Sequence, residues 1–249
     1  MTPPKPETTL IHLSLIDSTN NYAMQLLDAE AAGAGTIIVA DEQSAGKGQR
    51  GRTWLDVPGQ SLLMSTILAP EVSLEYQFSL SAAIAVTVAE FLMEIHEHWD
   101  IRIKWPNDIL INDRKAGGIL IENVLRGSRW SWCVVGLGLN VRQPAFPESL
   151  PFATSLRKES GKDFEVMTLA GEIGNRFLSL NAAAITDGTY LARYNQYLYR
   201  KDALQRFTDD GREWTATVLN VTPDGQLQVL TEDGIQKQYR HGEVVWKWE

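Results

Sequence analysis

The sequence predicts an α+β protein with a mixed or largely antiparallel sheet, helices on one side of it, and a small β-barrel at the C-terminal end. Three observations carry this reading. Hairpin signals sit beside helical stretches, so strands and helices do not alternate in a regular βαβ order. Residues 75–98 read as a long apolar-rich helix, and residues 167–201 as helical with a break near "TDGT". From residue 202 the composition shifts to short strands and turns for about 45 residues, the pattern of a small barrel. The expected domains are residues 1–202 and 203–249.

The elements follow in order. The start, "MTPPKPETTLIHLSL", has three prolines in its first six residues and reads as a frayed lead-in. It has no long apolar stretch and no small-residue cleavage site, so it is not a signal peptide. "DSTNNYAMQLLDAEAAGAG" opens a helix. Asp17, Ser18 and Thr19 are capping types, Leu26 and Leu27 give apolar positions, and Gly33 and Gly35 end it. "TIIVAD" (36–41) is a buried strand, a glycine-rich loop follows, and "SLLMSTIL" (61–68) is the next strand. "IRIKW", "DILI" and "GGILIENV" read as strands, with "NDRK" as a turn, and "WSWCVVGLGLNV" as another strand. The tail "EWTATVLNV", "TPDG", "QLQVLT", "EDG", "IQKQYR", "HGEVVWKW" supplies the barrel.

Bulk properties narrow the function. The chain has 249 residues, enough for one large domain and a small one. Its formal charge of −8 and pI near 5.1 argue against general nucleic-acid binding. The single cysteine, Cys133, excludes an internal disulfide and reads as a small core residue. No apolar run approaches the ~20 residues that a membrane helix needs. A cytoplasmic protein is expected.

Against that acidity, "EQSAGKGQRGRTW" (42–54) stands out. Between Gly46 and Arg52 it places three glycines and the three cations Lys47, Arg50 and Arg52. Glycine lets backbone N–H groups approach an anion, and the cations neutralise it, so the loop suits phosphate or carboxylate. A solvated surface turn is the plain alternative, and a nucleic-acid contact a third. It is not a Walker A loop, because "WLDVPGQ" leads into a strand and not a helix. Gln43 and Trp54 flank it with an amide and an aromatic face, which suits a charged heterocycle.

"KWPNDILINDRKAGGILIE" carries Lys104, Asn107, Asp108 and Lys115. A carboxylate at Asp108 suits Mg²⁺, although "PND" also starts ordinary turns. Lys115 lies beside Gly117 and Gly118, where nothing blocks close approach; it also fits a lysine guarding a strand edge. Trp130, Trp132, Trp246 and Trp248 alternate in strand-like runs and are expected to be packing residues. Trp54 and Trp105 are expected to wall a pocket. The four histidines, His12, His96, His98 and His241, have no metal-ligand spacing and are expected to be structural.

Together, "DSTNNYA", "ADEQSAGKGQRGRTW", "KWPNDILINDRKAGGILIE" and "VVGLGLNV", in this order, closely resemble the biotin protein ligases. The resemblance runs from about residue 10 to the end of the chain and includes "ATSL" (153–156). It implies a class II synthetase-like catalytic domain with an SH3-like C-terminal domain. The implied reaction joins biotin to ATP as biotinyl-5′-AMP, then transfers biotin to a lysine of a biotin carboxyl carrier protein or domain. By resemblance, Ser18, Thr19, Asn20, Gln43, Gly46, Lys47, Gly48, Gln49, Lys115 and Gly118 belong to the biotin site. Arg50, Gly51, Arg52, Trp54, Lys104, Asn107 and Asn140 belong to the ATP site. Lys115, Arg50 and Asp108 carry the chemistry, and Asp108 holds Mg²⁺.

The chain departs from the frequent family form "GRGRRGR" at Lys47 and Gln49, which implies looser retention of the adenylate. About sixteen residues precede "DSTN", too few for the DNA-binding module of some relatives, so no repressor role is expected. A monomer and a homodimer built on a sheet edge are both open. A lipoate or octanoate transferase, a nucleic-acid module and a non-catalytic biotin binder are the rival functions.

Overall fold

A computed structural model of the chain describes residues 8–209 and 211–248, so the expected frayed lead-in lies outside the described residues. The larger sheet has seven strands: β1 (Thr9–Ile16), β2 (Thr36–Gln43), β3 (Ser61–Leu68), β4 (Ile101–Lys104), β5 (Asp108–Ile111), β6 (Arg114–Arg126) and β7 (Arg129–Asn140). Their order is β1-β2-β3-β7-β6-β5-β4; β1 and β2 are parallel and every other neighbouring pair is antiparallel. The sheet is therefore mixed, as expected. β1 lies outside the sequence expectation: it is an edge strand in which Ile11 and Leu13 pack inward while Leu10 and Leu15 are exposed and break the alternation.

Helices cover this sheet unequally. α1 (Thr19–Asp28) packs Ala23 and Leu27 on Ile38, Ile67 and Val134. The opposite face, with Ile37, Val39, Met64 and Val135, carries α2 (Gln77–Ile95) and α4 (Val166–Phe177). Helices thus mainly occupy one side, with α1 as the exception. α3 (Leu156–Ser160), α5 (Ala182–Thr186) and α6 (Thr189–Gln196) complete the helices. Gly174 lets α4 lie against β2, since a Cβ there would come 2.3 Å from Ile37 Cδ1. One apolar stretch is longer than the sequence pattern predicts. Leu74–Ile95 is a 22-residue helical stretch long and apolar enough to cross a membrane by length and composition. Most of it is buried, because the sheet covers one side and α4, α5 and α6 the other.

The second sheet holds β8 (Leu204–Asp209), β9 (Arg212–Val221), β10 (Leu227–Thr231), β11 (Gln236–Tyr239) and β12 (Val245–Trp246), in the order β11-β10-β9-β8-β12. All its pairings are antiparallel. It docks on the first unit through a shared apolar core, with Tyr199 against Trp246 and Phe152 stacked on Trp248, and through polar contacts at defined points. Asn195 and Val221 exchange two hydrogen bonds of 2.9 and 2.7 Å, and Trp105 Nε1 donates to Gly225 O at 3.0 Å.

Candidate active site

The sheet face that carries α1 also carries a cavity of about 570 Å³, a size that suits a small-molecule ligand. Three separated segments build its walls: the start of α1 with Gln43, the glycine loop, and the β4–β6 region. The small sheet closes one side with His241, Gly242, Val244, Val245, Trp246 and Trp248.

One end is a closed polar network. Ser18 is the N-cap of α1 and makes no capping bond with its side chain. Thr19 donates to Gln43 Oε1 from its backbone N–H (2.7 Å) and its hydroxyl (3.1 Å). Ser65 Oγ lies 2.7 Å from Thr19 Oγ1 and 2.6 Å from Asn20 Oδ1. Its one hydroxyl proton goes to one of them at a time. Asn20 Nδ2 donates to Glu122 Oε2 at 2.7 Å, which fixes which way the amide faces. Gly136 makes room for it: a Cβ there would lie 2.4 Å from Asn20 Oδ1. Such buried, mutually satisfied groups favour a ligand head that is itself polar.

The glycine loop is not open. Gly48 N–H donates to Arg52 O (2.7 Å), Arg52 N–H to Gln49 O (3.2 Å) and Trp54 N–H to Gly46 O (3.0 Å). Lys47 and Thr53 pair as an antiparallel bridge. The segment is a narrow hairpin whose amides at Gly48, Arg52 and Trp54 are already bonded. Those three amides are therefore committed to the hairpin, and the cationic side chains remain for an anion. Lys47 Nζ sits 3.8 Å from Glu122 Oε1, and Arg50 Nη1 donates to His241 O at 2.6 Å. The Trp54 ring lies against Gly138 and Gly118; a Cβ on Gly138 would come 2.7 Å from the indole. Trp54 Nε1 and Gln49 Oε1 are buried with no hydrogen-bond partner.

The other end is charged. Lys115 Nζ pairs with Asp108 Oδ1 at 2.6 Å. The pairing skips Ala116 in β6, between the Ile109–Gly117 and Leu110–Lys115 pairs, and Lys115 is held by backbone bonds to Phe152 and Thr154. Asn107 Nδ2 donates to Ile119 O at 2.5 Å, stiffening the turn through the cis Trp105–Pro106 peptide. Lys104 is 4% exposed, with Nζ 3.6 Å from the centroid of the Trp248 ring and 3.3 Å from Trp246 O. Burial pushes its ammonium down to about 7; Asp108 opposes this, while Lys115 and Arg52 add to it. Burial, with Arg50 and Arg52 alongside, also lowers the His241 pKa. The lining holds five cationic side chains, Lys47, Arg50, Arg52, Lys104 and Lys115, and one carboxylate, Asp108. In a chain of net charge −8, that local excess fits an anionic ligand.

Most of the residues expected at a site meet here. Ser18, Thr19, Asn20, Gln43, Lys47, Gly48, Gln49, Arg50, Arg52, Trp54, Lys104, Asn107, Asp108, Lys115 and Gly118 line the cavity. Gly46, Gly51 and Asn140 do not. Gly46 is buried behind Trp54 and Gln43, and Gly51 is at the exposed hairpin tip with φ +75°. Asn140 is buried and donates to Thr154 O at 2.9 Å. Trp246 and Trp248, expected to be packing residues, line the cavity beside Lys104. Sequence reasoning missed Ser65 and Glu122. A polar residue inside the fully buried "SLLMSTIL" was the available signal for Ser65.

The chain also compares directly with known proteins. Residues 13–140 match the model of the biotin/lipoate A/B protein ligase family. The bifunctional ligase/repressor BirA of Bacillus spizizenii is 35% identical over 240 residues, covering 92% of this chain and 72% of the relative. A biotin–[acetyl-CoA-carboxylase] ligase of Paracoccus denitrificans is 33% identical over 130 residues, 52% of this chain and 53% of that one. In structure, the biotin protein ligase of Aquifex aeolicus in complex with biotin and ATP superposes with a TM-score of 0.78 at 28% identity, covering 97% of this chain and 99% of that one. With the α+β fold, the ordered motifs and these matches agreeing, the chain belongs to the biotin/lipoate A/B protein ligase family and is one of its biotin protein ligases.

Proposed function

We propose that the protein activates biotin with ATP to biotinyl-5′-AMP and passes biotin to a lysine of a biotin carboxyl carrier protein. The observation that carries this reading is the cavity's division into a hydrogen-bonded polar end, with Lys47 at its edge beside Glu122, and an end lined by Arg50, Arg52, Lys104 and Lys115. A ureido ring suits the first, with Ser18, Thr19, Asn20 and Gln43 around it. A carboxylate and a triphosphate suit the second. The biotin carboxylate attacks the α-phosphorus, the bond to the β-phosphate oxygen breaks, and pyrophosphate leaves. Lys115 meets the biotin carboxylate and the charge that builds on phosphorus, while Arg50 and Arg52 offset the phosphates. No base is needed, since the carboxylate is already ionised. The carrier amine then attacks the acyl carbon and AMP leaves. Asp108 takes up the amine's proton in this reading.

Asp108 and the Asn107 carboxamide oxygen fit Mg²⁺, which binds through few protein oxygens plus substrate phosphates. Bound there, Mg²⁺ would neutralise phosphate charge. Gly46, Gly51 and Asn140 support the walls without touching ligand in this reading. Residues 1–202 form the catalytic unit and 203–249 the cap. The reading includes no repressor role, in keeping with the net charge; a steep salt-dependent affinity for duplex DNA would overturn that part.

The test is ATP–pyrophosphate exchange with biotin or lipoate, followed by mass analysis of a carrier domain. Exchange with biotin and a biotin-sized mass gain on one lysine are expected. Exchange with lipoate alone would make the protein a lipoate-type ligase. Biotin binding without exchange would make it a binder.

A further inference from the structure

We infer that the turn at His241 and Gly242, in the small sheet's β11–β12 connection, is a positioning element that holds Arg50 and so fixes the glycine hairpin over the cavity. Three observations meet at this point. Arg50 adopts left-handed backbone geometry, φ 56° and ψ 41°, which an arginine does not favour by itself. Its Nη1 donates to His241 O at 2.6 Å, a charge-assisted bond between hairpin and small sheet. Gly242 leaves open the space that the guanidinium fills: a Cβ there would fall 0.8 Å from Arg50 Nη1 and 1.9 Å from Cζ.

The turn is itself held from the other side. Lys104 Nζ bonds Trp246 O and Lys247 O at 3.3 and 3.5 Å, and the His241 ring meets Trp105 edge-on at 5.7 Å. The segment that carries Lys104 and Asp108 therefore orients the turn, and the turn orients Arg50. A guanidinium has five N–H donors, so one bond to His241 O leaves others for an anionic ligand. On this account the small domain completes the reactive end of the site. What Arg50 then binds rests on the ligase reading; the latch itself does not.

The experiment compares Gly242→Ala with Gly234→Ala in the full chain. Both glycines have left-handed φ, +90° and +79°, but nothing lies within 4 Å of a Cβ at Gly234. Backbone strain is thus matched, and Arg50 is displaced in one variant alone. Tryptic cleavage after Lys47 and Arg52 is timed in ligand-free protein. Gly242→Ala is expected to speed it by about tenfold, the order of a lost hydrogen bond to a charged group, with Gly234→Ala at the wild-type rate. Arg50→Met is expected to speed it equally, and Gly242→Ala added to Arg50→Met to change nothing further.

Equal cleavage in all variants, or additive effects in the double variant, would overturn the latch. Should Gly242→Ala fail to fold, Arg50→Met alone decides by its cleavage rate. In enzyme assays, Gly242→Ala is expected to raise KM for ATP more than KM for biotin. A wild type without pyrophosphate exchange would refute the ligase reading and leave the cleavage comparison valid.

Discussion

The two ends of the cavity are built on opposite terms. At the polar end, Thr19, Gln43, Ser65, Asn20 and Glu122 satisfy one another before any ligand arrives. At the charged end Arg50, Arg52, Lys104 and Lys115 gather around Asp108, and Trp54 Nε1 and Gln49 Oε1 stay buried without partners. On the proposed function, selectivity would come from a pre-organised network on rigid elements, and reactivity from charges whose balance the ligand completes. A fault at the first end is expected to alter binding, and a fault at the second to alter rate.

Substitutions test that division, beginning with the largest effect. Lys115→Ala removes the cation paired with Asp108 and is expected to cut adenylation by about 10²–10³ in kcat. The melting temperature is expected to hold; an unchanged single-turnover rate would remove Lys115 from the reaction. Gly136→Ala places a methyl 2.4 Å from Asn20 Oδ1 and is expected to raise KM for biotin by roughly tenfold to a hundredfold, with kcat nearly kept. A fall in kcat instead would erase the distinction between the two ends.

Glu122→Ala frees both Asn20 and Lys47, and the expected rise in KM for biotin is about tenfold. Its effect should be non-additive with Asn20→Ala, which initial-rate kinetics on the double variant would show. Gln49→Arg adds a sixth cation to the five, and the adenylate off-rate is expected to fall by a factor of a few to about tenfold. Equal off-rates for wild type and variant would dismiss a retention role at that position.

The smallest effect concerns pH. The Lys104 pKa is about 7 folded against 10.5 as the unperturbed value, so between these pH values the unfolded chain binds the extra proton. Stability contributed at this site therefore rises with pH across that window, and below pH 7 the cost of the buried cation is fully present. Relative to Lys104→Met, wild type is expected to gain a few °C in melting temperature from pH 7 to 9, on the order of 1 kcal/mol for a chain this size. Parallel melting profiles for the two proteins would mean that Trp248 and the carbonyl partners hold the charged form after all.

Local patterns specify the structure where they determine it locally. "SLLMSTIL" became β3 with the expected bounds, because eight buried residues in a row leave no alternative phase. The hairpin at "NDRK" formed with Asn112 and Asp113 at positive φ, the conformation those residues tolerate best. The edge strand β1 escaped because exposed leucines break the alternation. Fifteen of the eighteen residues assigned to the site line one cavity, since the motifs carrying them resemble a family. The contributions of Trp246, Trp248 and Gly242 were not legible. They reach the site by docking of a terminal sheet, more than a hundred residues from the motifs they complete.

The apolar character of Leu74–Ile95 has a consequence for biosynthesis. α2 meets α6 most extensively among its helical neighbours, and α6 ends about a hundred residues further along the chain. At ribosomal speeds of ~5–20 residues per second, that greasy cylinder waits roughly 5–20 s for its lid. Nascent chains stalled between residues 95 and 196 are therefore the aggregation-prone species, and chaperone engagement would concentrate there.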